Sequence, residues 1–150
     1  MSTNRRDSLT LSLLRALHRS YRDVQCADSR ELEERWGLQH SEFDVIATLG
    51  NTAGIRMGEI AARTLSSPAN VTRLVKRLEG RGLVERERSP ESDREVIARL
   101  TPAGVALFEA AYPAQYEFMK AWFDERLDPA QQEALKTALE SLRDETPCNP

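Results

Sequence analysis

The chain has 150 residues, 40% of them hydrophobic and 30% charged, and a net charge of −3. That composition supports one ordinary core and excludes global disorder, and no run of about 18 apolar residues is available for a membrane helix. Two cysteines (Cys26, Cys148) and two histidines (His18, His40) are too few and too scattered for a disulfide framework, a zinc site or a nucleophilic triad, so neither an enzyme, a cofactor nor a metal is expected.

The first residues, MSTNRRDSLTLSLL, hold two arginines but no uninterrupted apolar stretch and no small-residue cleavage site. A signal peptide is therefore not expected, and a cytoplasmic, reducing location is the default. Leu9, Leu13, Leu14, Leu17, Tyr21 and Val24 recur at three- and four-residue spacing, which predicts a helix over residues 8–25 with one apolar side. A similar stripe near the other end makes a helical partner, including a second copy of the chain, the natural cover. Residues 26–39 are polar and charged and read as a connector with a helical turn over 29–35.

Ser41 with Asp44 three residues on has the form of a capping box, opening a helix that buries Phe43, Ile46, Ala47 and Leu49. Gly50, Asn51 and Gly54 close it. Met57, Ile60, Ala61 and Leu65 predict one face of a short helix. Ser67 and Pro68 then restart the chain as N-cap and first helical residue, and Val71, Leu74, Val75 and Leu78 form a stripe that Gly80 and Gly82 stop. Strands are expected from Leu83 to about Arg88 and from Glu95 to Leu100, around the turn residues 89–93. Thr101-Pro102 opens a long helix to about residue 127, with Pro113 a source of kinking. Asp128-Pro129 opens a last helix with Leu135, Leu139 and Leu142 inward, before a frayed tail.

Two helices joined by a three- to four-residue break can set the second in a DNA major groove. The outward side of that second helix carries Asn70, Thr72, Arg73, Lys76 and Arg77. Asparagine can pair with adenine, arginine with guanine, and threonine with a base edge or thymine methyl, whereas flanking cations hold phosphates. Ser67 and the helix start are further phosphate ligands. A merely wet amphipathic face would look similar; the hairpin that follows, with Arg86, Arg88, Arg94 and Arg99, tips the balance. Arg94 at its tip suits a narrow minor groove, against the alternative of a surface pair with Asp93 or Glu91. Charge agrees: residues 63–101 hold nine basic and six acidic residues, a local +3, leaving −6 for the rest.

The stretch SEFDVIATLG…MGEIAARTLSSPANVTRLVKRLEGRGLVERERSPESDREVIARLTPAG resembles the MarR family of winged-helix transcriptional regulators. The likeness is close over residues 41–104 and is most specific in VTRLVKRLEGRGLVER and the RLTPAG ending. The resemblance implies a mainly α fold with a small β-hairpin wing: a winged helix-turn-helix over 41–101, flanked by dimerisation helices over 1–40 and 102–150. It implies a homodimer on a pseudo-palindromic operator in double-stranded DNA, acting as a repressor released by a small aromatic or phenolic ligand or by oxidation, with no membrane partner. Two departures stand out: Leu65 occupies a turn position where the family has glycine, and Ser92 stands where the wing usually has aspartate.

For an effector the family likeness points to His18, Tyr21 and Arg22 of the first helix, with Phe43, Asp44 and Ala47 of the next. His18 and Arg22 share a face and suit a carboxylate or phenolate, although solvated or dimer-bridging roles serve them as well. Asp44 after an aromatic, with Arg86 entering the wing, is similar to part of the urate-responsive branch, but the predicted first helix has no tryptophan. Thiol sensing is the other family option. Asp23 and Asp28 beside Cys26 would raise rather than depress its pKa, which favours a bystander. The competing class is a winged helix used only for protein interaction, which a lack of duplex preference at low salt would reveal.

Overall fold

The computed structural model describes residues 4–89 and 92–143, with side chains from 9–89 and 95–143. In chain order the elements are α1 (Asn4–Trp36), α2 (His40–Leu49), β1 (Ile55–Arg56), α3 (Met57–Arg63), α4 (Pro68–Gly80), β2 (Val84–Ser89), β3 (Ser92–Leu100), α5 (Pro102–Asp124) and α6 (Pro129–Glu140). The chain divides into two compact units, Met1–Phe43 and Asp44–Pro150, the division falling inside α2.

In the first unit, α1 runs unbroken through the expected connector. No glycine or proline interrupts residues 4–36, and Ala27, Arg30, Glu31, Leu32, Glu33, Glu34 and Arg35 are helix formers. Arg35 and Glu31, one turn apart, add an ion pair at 2.9 Å. Apolar periodicity fades there because the helix buries little on that stretch: Leu32 and Asp28 are its buried residues, and the Asp28 carboxylate is paired with His40 Nδ1. The longer helix also ends on Trp36, so the first helix does contain a tryptophan. At the start of α2, the Gln39 N–H donates to Glu42 Oε2 at 2.9 Å. The acid of the cap is therefore Glu42, not Asp44, and Gln39 rather than Ser41 holds the capping position.

In the second unit, Val45, Ile46, Leu49, Ile60, Ala61, Val71, Leu74, Val75, Leu78, Val84, Ala98, Phe108 and Ala111 make the core. The sheet has the order β1-β3-β2, all antiparallel, with Val84 opposite Leu100 and Ile55 opposite Ala98. The two-residue β1 is too short to show alternation in the sequence. Ser67 caps α4, accepting from the Asn70 N–H, and Thr101 caps α5 in the same way from Gly104. Asp128 and Gln131 form a full capping box on α6.

Two expectations about side chains fail. Leu65 is not on the buried face of α3 but in the turn after it, 93% exposed. The reason is backbone: α3 ends at Arg63, the Ser66 N–H bonds back to the Ala61 carbonyl, and Leu65 takes φ 50° between them. That is the glycine-favouring left-handed position of a Schellman helix end. Leu135, Leu139 and Leu142 do not point into a core of this chain either; all three are exposed. So are Leu9, Leu13, Leu14, Leu17 and Tyr21 along α1.

Candidate nucleic-acid interface

The α3–turn–α4 unit is built so that α4 buries Val71, Leu74, Val75 and Leu78 and turns its other side to solvent. Thr72, Arg73, Lys76 and Arg77 are exposed on that side, and Asn70 is half-buried at its start. The Ser67 hydroxyl oxygen accepts from the Asn70 backbone N–H at 3.3 Å, which leaves its proton available to an incoming acceptor. Thr72 Oγ1 donates to the Pro68 carbonyl at 2.9 Å, so its methyl and lone pairs, not its proton, remain for a partner. Asn70 and Arg73 are joined, Arg73 Nη2 donating to Asn70 Oδ1 at 2.7 Å.

Alternation in β2 sorts the wing's charges. Glu85 and Glu87 fall on one face and Arg86 and Arg88 on the other, with buried Val84. Arg99, opposite Glu85 in register, collects both acids: Nε donates to Glu85 at 2.7 Å and Nη1 to Glu87 at 3.0 Å. Its guanidinium is held above its usual pKa by the Glu85 hydrogen bond and then by the two negative charges. Arg99 is thus committed to the acidic face. Arg86 reaches Glu79 at the end of α4, which turns the arginine face of the wing toward that helix. Arg88 is exposed on the same face. Lys76 and Arg88 form no ion pair among the described residues. Ser92, Asp93 and Arg94 lie in β3, but their side chains are not among those described, and Glu91 and Cys148 lie outside the described residues.

The geometry is that of a winged helix-turn-helix, and comparison with known proteins agrees. The MarR family model matches residues 36–95. Over 103 residues, 69% of this chain and 66% of the other, the sequence is 30% identical to the HTH-type transcriptional regulator YkoM of Bacillus subtilis. The chain belongs to the MarR family. It spans about half to two thirds of the length of the first curated relatives it matches. Among solved MarR-family structures, Sco3205 of Streptomyces coelicolor, in complex with DNA, superposes with a TM-score of 0.80 over 90% of this chain and 88% of that one, at 23% identity. BpsR of Bordetella bronchiseptica, whose DNA binding is regulated by 6-hydroxynicotinic acid, gives 0.77 over 89% and 99%, at 25% identity.

The residues suggested for an effector belong to both units. In the first unit, His18, Tyr21 and Arg22 are exposed on α1, Tyr21 accepting from Gln25 at 2.6 Å, while Phe43 is buried. In the second, Asp44 lines an open recess of about 400 Å³ with Ala47, Thr48, Arg63, Thr64, Leu65 and Tyr112. Arg86 is not part of that lining and is engaged by Glu79. Cys26 is a free, exposed thiol. Among the described residues, no cluster of His, Cys, Asp or Glu could hold a metal, and no helix is long and apolar enough to cross a membrane.

Sequence reasoning missed two participants. Glu79, which engages Arg86, sits seven residues before it across a helix end, a spacing with no signature. Ser66 also takes part in the α4 network, and only its four-residue spacing from Asn70 hints at that.

Proposed function

We propose that the chain is a sequence-specific DNA-binding transcriptional regulator of the cytoplasm, working as a homodimeric repressor on a two-fold operator. The observation that carries this reading is the outward face of α4, where Arg73, Lys76 and Arg77 stand exposed beside a wing whose Arg86 is tied to the end of the same helix and whose Arg88 is exposed two residues further along β2. Arg73 reads a base in the major groove; Thr72 offers its methyl to thymine; Ser67, Lys76, Arg77 and Arg88 hold phosphates, and Arg94 enters the minor groove. Residues 41–101 are the reading lobe. Residues 1–40 and 102–150 are dimerisation arms, a role supported by their exposed leucines. The effector class is a small aromatic acid or phenol, supported by the likeness to BpsR; His18 and Arg22 are its candidate cations, with Tyr21, Phe43, Asp44 and Arg86 as further candidates.

Selection of bound sequences from random duplex DNA tests the reading. A palindrome with half-sites about one helical turn apart is expected. Arg73→Ala should relax preference at one base pair, whereas Lys76→Ala should weaken every duplex alike and lower the salt slope by about 1 per site. No enrichment of any sequence at low salt would sink the proposal. Addition of 6-hydroxynicotinic acid to the selected complex then tests the effector class by release of the duplex.

A further inference from the structure

Asn70 has both ends of its amide occupied within the protein. Its Nδ2 donates to Ser66 Oγ at 2.7 Å, and its Oδ1 accepts from Arg73 Nη2 at 2.7 Å. The amide orientation is dictated by chemistry, because the guanidinium has no acceptor and tolerates only an oxygen facing it. A bidentate pairing with adenine needs that same oxygen and that same NH2 aimed together at one base edge. Each of the two bonds uses one of the amide's two hydrogens and one of the oxygen's two lone pairs, and together they fix the amide plane on Ser66 and Arg73 before any base arrives.

We infer that Ser66, Asn70 and Arg73 form a positioning relay, in which Asn70 reads no base and the Ser66 hydroxyl, acting through it, presets the Arg73 guanidinium for a guanine. This rests on the reading of α4 as the DNA-facing helix. The relay starts in the turn. Leu65 in its left-handed conformation and the 3.0 Å bond from the Ser66 N–H to the Ala61 carbonyl hold Ser66 one helical turn before Asn70. Asn70 is half-buried and therefore restrained, while Arg73 is exposed and keeps most of its five N–H donors for a partner. A long side chain held before binding loses less rotamer freedom on docking, so the relay favours a fixed register of guanine contact over loose phosphate attraction.

The test is competitive binding of the full-length protein to its selected duplex and to a panel carrying each single base-pair change, for Ser66→Ala, Ser66→Thr, Asn70→Ala and Arg73→Ala. Arg73→Ala should lose roughly tenfold or more of the discrimination at one G·C pair. Ser66→Ala and Asn70→Ala should lose several-fold at that same pair and none elsewhere, with the salt slope unchanged, and Ser66→Thr should restore it by returning the hydroxyl. Relaxation by Asn70→Ala at a separate A·T pair would make Asn70 a reader and overturn the relay. An unchanged profile in Ser66→Ala would overturn it too. If Arg73→Ala alters no position, the reading beneath fails, and the relay with it.

Discussion

The Arg86 guanidinium grips one oxygen of Glu79 with two donors, Nε at 3.0 Å and Nη2 at 2.6 Å, and so ties the base of the wing to the last turn of α4. Both side chains are about one-third exposed, so the pair adds only about 0.2–1 kcal/mol to stability. Its effect on DNA should be larger than its effect on folding. Glu79→Ala removes a negative charge beside the surface proposed to face phosphates and releases a cation there. Affinity for a non-specific duplex at low salt should rise and its salt dependence steepen, with a change in melting midpoint of no more than about 3 °C. Fluorescence anisotropy across a salt series measures both. A fall in affinity would show that Arg86 needs Glu79 to be held in place.

Gly104 should not tolerate a methyl group. A Cβ built there would lie 2.0 Å from the Leu83 carbonyl oxygen and 3.0 Å from its carbon, both backbone atoms. That carbonyl is already anchored, since the Thr101 N–H donates to it at 3.1 Å. Neither side can yield cheaply, so the first turn of α5 must move off the start of the wing. Gly104→Ala should cost about 1–3 kcal/mol, outweighing the roughly 1 kcal/mol of helix propensity that alanine brings. Thermal unfolding should show a midpoint several degrees lower.

Where burial and turn chemistry coincide, residue order was sufficient to read the fold: α4 follows from Ser67-Pro68, its four-residue apolar stripe and the glycines after it. It was insufficient where an element gains little by burial. The second half of α1 is polar on nearly all sides, so periodicity was silent although helix propensity was high. Leu65 misled for the opposite reason, being an apolar residue at helical spacing in a turn that places it in water. Candidate DNA contacts were legible as residue types on one helix face. Their internal bonds, such as Thr72 to Pro68 and Asn70 to Ser66, depend on rotamers that spacing does not determine.

The exposed leucines of α1 and α6 give dimerisation a direct test. Leu13 and Leu17 lie four apart on α1, 56% and 37% exposed, so covering what remains gains roughly 0.5–1.7 kcal/mol each, counted twice in a symmetric dimer. Leu13→Glu with Leu17→Glu should therefore weaken self-association by roughly two to four orders of magnitude. Sedimentation velocity should show a monomer of about half the parent mass, and binding to a two-half-site duplex should lose its cooperativity. A double variant that sediments as the parent does would place the dimer surface elsewhere.

The junction of α5 and α6 has a charge-dependent tie. Lys120 Nζ donates to Asp124 Oδ2 at 2.5 Å, and Gln132 Nε2 donates to Asp124 Oδ1 at 3.0 Å. These bonds, the lysine's first, hold the Asp124 carboxyl below its ordinary value, while the same lysine is raised above its own by the Asp124 hydrogen bond. Signs follow from linkage. The carboxylate's contribution is present above its unfolded-state pKa and lost as pH falls through the lower folded-state value; the lysine's is complete below its unfolded-state pKa and lost as pH rises through the raised one. The tie is intact at neutral pH. Asp124→Asn should lower the melting midpoint slightly at pH 7, and the gap from the parent should close as pH falls below the carboxylate range.

The two helices α3 and α4 end on the same backbone device with different residues. After α4, Gly82 takes φ 71°, with the Leu83 N–H bonded to the Leu78 carbonyl and the Gly82 N–H to that of Glu79. After α3, Leu65 takes φ 50° in the equivalent place. A left-handed conformation costs a side-chain-bearing residue about 1–2 kcal/mol, and an exposed leucine recovers none of it through burial. Glycine avoids that cost but adds disorder to the unfolded chain, which offsets about 0.5–1 kcal/mol. Leu65→Gly should therefore stabilise the protein by about 0.5–1 kcal/mol, read as a higher denaturant midpoint at unchanged slope. It should also loosen the turn that sets Ser66. A variant that melts later yet discriminates less well at the base pair proposed for Arg73 is the expected pairing, and a destabilised Leu65→Gly would mean that the leucine side chain packs on a surface this single chain does not contain.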